Sequence, residues 1–170
     1  MDLPSSSYLY SLAVVSTTYV GFSALLVGLR QARGSRLTSY DAYFTVTFIQ
    51  VGFIVTVSGL MPSLVALYGG SPRTVWRIAS VIAAVPILWF SLSLPARRRA
   101  ATGMPIPRFV KTIVVVQAMA GMSLLSNAAF SSNPQAGAIY STAVTLVLVS
   151  SGLAYVLALK RLRPESDEPQ

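Results

Sequence analysis

The chain of 170 residues has no cysteine and no histidine, and only 11% of it is charged. Each absence removes a class of chemistry. Without cysteine there is no disulfide, no thiolate metal site and no cysteine nucleophile. Without histidine the commonest general base and metal ligand is missing. Acids are also scarce: Asp2, Asp41, Glu165, Asp167 and Glu168 are all there are. None lies within a long apolar stretch, so neither an aspartyl pair nor a zinc site can be assembled there. Proton-coupled transport through an embedded carboxylate or histidine is disfavoured on the same ground. A serine–lysine pair built on Lys111 lacks support, because that lysine sits at the edge of an apolar stretch where its ammonium stays hydrated. The chain is expected not to be an enzyme, and no residue pattern demands a metal or an organic cofactor.

What the chain has in quantity is apolar surface. It is 54% hydrophobic with a mean hydropathy of +0.63, whereas soluble domains are about 25% charged. The missing charge is explained by segments that face no water. Five such stretches run over about 8–29, 43–68, 74–94, 109–130 and 136–159. At about 1.5 Å per residue, each is long enough for a hydrocarbon core of roughly 30 Å. The expectation is an all-α, polytopic membrane protein: a bundle of five transmembrane helices forming one domain over 1–163. A short, disordered, cytoplasmic tail, 164–170, follows.

Boundary signals agree with these spans. Thr38 and Asp41 have the spacing of a capping box ahead of the second helix. Gly69, Gly70, Ser71 and Pro72 make a turn in which Ser71 caps the third helix and Pro72 takes its first position. Pro95 is expected to end that helix, with Arg97, Arg98 and Arg99 in the following loop. Asn133 and Pro134 form another cap and start. Pro62 and Pro86 fall inside spans, each removing a backbone donor and leaving a carbonyl in need of shelter.

Charge placement gives an orientation. With the N-terminus outside and the C-terminus inside, eleven Lys and Arg residues fall inside and only Arg73 and Arg77 outside. That is a strong positive-inside bias. The first stretch carries its arginines after the apolar run, unlike a cleavable signal peptide, so it reads as a retained helix. The expected location is the plasma membrane or a bacterial inner membrane. The net charge of +8 flanks apolar segments instead of forming a basic surface, which argues against nucleic acid.

The second stretch is expected at the centre of the bundle. Thr45, Gly52, Thr56 and Gly59 fall within an arc of about 60° at 100° per residue, while Thr47, Gln50 and Ser58 cluster on nearly the opposite side. A small face and a separate polar face both call for protein neighbours. In the first stretch Thr17, Gly21, Ala24 and Gly28 repeat at spacings of four, three and four, which predicts close helix approach. Gln117 and Asn127 give the fourth span a polar side. Thr47, Gln50, Ser58, Gln117 and Asn127 are therefore candidates for interhelical hydrogen bonds or for lining a pathway. Arg97, Arg98 and Arg99 are candidate contacts for anionic lipid head groups. The composition points to a non-enzymatic interaction or assembly subunit, in contact with the bilayer and with a membrane-protein partner or further copies of itself. The alternative is a passive channel or small-solute carrier formed by an oligomer.

Overall fold

The structure, a computed structural model, describes residues 5–32, 39–103, 105–130 and 134–161. It is all-α, with helices α1 (Ser6–Ala32), α2 (Ser39–Ala66), α3 (Pro72–Thr102), α4 (Arg108–Ala129) and α5 (Ala136–Arg161). All five are long and apolar enough to cross a membrane.

Local chemistry sets the helix ends. Ser71 has an extended backbone, and its hydroxyl accepts the Thr74 N–H at 3.3 Å, with Pro72 at the first helical position. This is the start that the sequence predicts. The stop at Pro95 is not made: α3 continues through it to Thr102. Ala and Arg are strong helix formers, and arginines near a helix C-terminus are favoured by its negative dipole end. The helix closes instead at Gly103, whose φ of +62° suits glycine and whose N–H donates to the Arg99 carbonyl at 2.9 Å. Arg97, Arg98 and Arg99 thus form a turn of helix, not a loop. Thr38 and Asn133, the other predicted cap residues, lie outside the described residues.

The helices pack largely in chain order. α1 packs on α2, α2 on α3, α3 on α4 and α4 on α5, and α5 returns to α2 with lighter contacts to α3 and α1. α2 therefore has α1, α3 and α5 as neighbours, and its small face meets α1. A Cβ built at Gly52 collides with Cγ2 of Val20, and one at Gly59 comes within 2.9 Å of the Leu9 carbonyl oxygen. Ser16 donates to the Gly52 carbonyl at 2.8 Å across the same seam.

The α1 side of this seam is not the row picked out by spacing. Leu9, Ala13, Ser16 and Val20 make the contacts, the same four-three-four rhythm set two turns earlier and rotated by about 80° around the helix. Of the predicted row only Thr17 bonds across the seam, to Thr56 at 3.3 Å. Gly21 and Gly28 have no neighbour within 4 Å of a built Cβ, and with Ala24 they are exposed.

Pro62 shows how a helix interior absorbs a proline. Its missing N–H frees the Ser58 carbonyl, and the buried Tyr140 of α5 donates its hydroxyl to that oxygen at 2.6 Å. α2 and α5 are tied by a backbone defect in one and a side chain of the other.

Candidate functional site

Two polar regions stand out in an otherwise apolar bundle. The first is interior. Gln117 of α4, 2% exposed, donates through Nε2 to Ser151 Oγ at 2.9 Å and to Ser150 Oγ at 3.4 Å. Its Oε1 accepts from Ser91 Oγ of α3 at 3.4 Å. Each serine hydroxyl also has a local carbonyl partner one turn back: Ile87 for Ser91, and Val147 for Ser150 and Ser151. Gln117 thus joins α3, α4 and α5 through hydroxyls that are already satisfied locally. Beside it lies a cavity of about 40 Å³ whose walls include Thr47, Phe48 and Arg98. The Arg98 side chain is 3% exposed, with its guanidinium carbon 5.9 Å from the Phe44 ring centre.

Asn127, nearer the other end of α4, donates to Ser80 Oγ and to the Ala136 carbonyl, both at 3.0 Å. The second bond fastens the start of α5. Asn127 Oδ1 is buried without a partner among the described residues.

The second region is a lateral groove bordered by α1, α2 and α3, with a volume of about 580 Å³. Phe53, Pro86, Trp89 and Phe90 supply much of its apolar wall, and Gln50 and Arg97 supply its polar end. Arg97 Nη1 donates to Gln50 Oε1 at 2.7 Å, and the guanidinium carbon lies 4.7 Å from the Phe90 ring centre. Side chains on an α-helix lean toward its N-terminus. Arg97 follows that bias, lying over Phe90, a residue two turns back toward the middle of α3. Its Nε and Nη2 are buried and have no hydrogen-bond partner among the described residues.

Compared with protein-family models, curated proteins and solved structures, the chain matches none.

The candidate residues are thus separated. Thr47 and Gln117 share the small interior cavity, Ser58 serves through its backbone carbonyl, and Asn127 bonds apart from both. Gln50, grouped with Thr47 and Ser58 by helical angle, is exposed and belongs to the groove. The arginine triplet divides three ways: Arg97 lies in the groove, Arg98 in the interior, and Arg99 is exposed. Sequence reasoning missed Tyr140 and the serine partners Ser80, Ser91 and Ser151. The signal for Tyr140 was present in Pro62, which announces an acceptor at Ser58 in need of a donor. Nothing in spacing marks the serines, because a serine in an apolar helix usually bonds its own preceding turn.

Proposed function

We propose that this chain is a multi-pass membrane protein with a non-enzymatic role, an interaction or assembly subunit. Its N-terminus lies outside and its C-terminus inside, in the plasma membrane or a bacterial inner membrane. The observation that carries this reading is the mutual engagement of the interior polar side chains. Gln117 and Asn127 are occupied in holding α3, α4 and α5 together, as in a scaffold. The cavity beside Thr47 and Gln117, about 40 Å³, has room for about one water. The uncovered row Gly21, Ala24 and Gly28 on α1 supports a surface on which a partner's transmembrane helix could approach closely. A further copy of this chain would meet the same requirement.

Three measurements test this. In a chain without native cysteine, Ser5→Cys should react with an impermeant maleimide in intact cells and Ser166→Cys should not; labelling at 166 defeats the topology. Purified protein in liposomes should leave the vesicles tight to ions and small solutes. Reproducible leakage would favour the passive channel or carrier. Gly21→Leu should weaken stoichiometric co-purification with a membrane-protein partner while the protein's own stability stays unchanged, since a Cβ at that position has no neighbour within 4 Å among the described residues.

A further inference from the structure

We infer that the lateral groove is a binding site for one anionic phospholipid, its phosphodiester held by Arg97 and one acyl chain lying against Phe53, Pro86 and Trp89. This rests on the proposed membrane insertion and is independent of any protein partner.

The argument starts from the guanidinium. Arginine presents its N–H groups in a fixed planar fork, and the Nε–Nη2 edge matches two oxygens of a phosphate or carboxylate. In Arg97 the opposite nitrogen, Nη1, is committed to Gln50. The Nε–Nη2 edge is the one left buried without a partner among the described residues. Buried donors without acceptors are costly, and a charged group the more so. No residue lining the groove is acidic, so no described residue supplies an anion at that place.

The remaining features select the class of anion. The groove is walled chiefly by aromatic and aliphatic side chains, which suit a hydrocarbon chain and not a small hydrated ion. Its polar end belongs to the last two turns of α3, where Arg98 and Arg99 follow. In the proposed topology this is the inner end, where the cytoplasmic leaflet holds its anionic head groups. A phosphodiester has two non-bridging oxygens for the fork and is covalently joined to the chain that fills the wall. Binding requires the covered edge to rotate toward the groove that Arg97 already lines.

Trp89 makes the site measurable. It is 76% exposed and lines the groove, whereas Trp76 is 6% exposed, and the chain has no other tryptophan. The protein is reconstituted in zwitterionic vesicles doped with a phospholipid brominated on its acyl chains, either anionic or zwitterionic, at equal mole fraction. Flotation with the vesicles tests membrane insertion separately from lipid selectivity, and Trp89→Phe shows how much quenching belongs to Trp76. The anionic lipid should quench Trp89 with about tenfold higher apparent affinity, the scale of one charge-assisted pair. Arg97→Gln should abolish that preference, and Arg99→Gln should leave it intact. If Arg97→Gln does not reconstitute, Arg97→Lys decides, since it keeps the charge but loses the fork; it should lower the preference severalfold. Four results overturn the inference: equal quenching by the two lipids, selectivity that survives loss of the fork, relief of the phospholipid's quenching by an equimolar unbrominated fatty acid, or a gain in phospholipid affinity when Glu165, Asp167 and Glu168 are neutralised. The last would mean that the chain's own acidic tail occupies the fork.

Discussion

Gln117 and Gln50 are the same residue type in two adjoining regions, and their positions invert the usual association of burial with importance. Gln117 is buried and makes bonds to three serines, yet each of those serines has a backbone carbonyl of its own. Gln50 is exposed and has one hydrogen-bond partner among the described residues, a charged guanidinium with two further nitrogens that find no partner there. What a hydrogen bond contributes depends on what its partner does without it. Satisfied hydroxyls lose little, whereas a guanidinium deprived of its acceptor loses much more.

The largest expected effect is therefore at the exposed site. Gln50→Leu should lower unfolding stability in detergent by about 2 kcal/mol, the range for hydrogen bonds to charged groups. The loss should shrink in the Arg97→Met background, where no guanidinium is left behind. A double-mutant cycle in urea or SDS reads the coupling directly. Additive costs would mean that the pair contributes nothing to stability.

Tyr140→Phe should come next, at about 1 kcal/mol, because it strands the Ser58 carbonyl that Pro62 has already deprived of its backbone donor. Pro62→Ala restores an N–H at the position that reaches this oxygen, so the tyrosine's hydroxyl should matter less in that background. If Tyr140→Phe costs as much in the Pro62→Ala background as in the parent chain, the two features are unconnected.

Gln117→Leu should be the mildest, at about 0.6 kcal/mol, the average for an interhelical hydrogen bond in a membrane bundle. A loss larger than that of Gln50→Leu, measured under the same conditions, would break the comparison. It would mean that the interior serines depend on Gln117 more than on their own carbonyls.

Much of the architecture was legible because its causes are local. Long apolar runs, Ser71 with Pro72, and the scarcity of acids act over a few residues or one turn, so five helices and the start of α3 could be read from the chain. The small face of α2 was also readable, since Gly52 and Gly59 leave room whatever fills it. The end of α3 was misread because a proline's local cost is about 3 kcal/mol at most positions, and the arginine-rich turn beyond it with the Gly103 cap outweighs that cost here.

The candidate site was legible in kind and not in arrangement. A glutamine, an asparagine or an arginine in or beside an apolar helix needs a partner, and the sequence alone therefore determined that Gln50, Gln117, Asn127 and the arginine triplet matter. Which partner each takes is a property of helix rotation and neighbour identity. Rotating α1 by about 80° hands the seam to Leu9, Ala13, Ser16 and Val20, and a Cβ built at Gly21 or Gly28 then meets no described residue within 4 Å. One turn of α3 sends three consecutive arginines to a groove, an interior and a surface, because successive residues on a helix point in different directions. Sequence determines residue types and their angular order along one helix. The tertiary structure alone decides which angle faces lipid, which faces another helix, and which guanidinium edge is left without an acceptor.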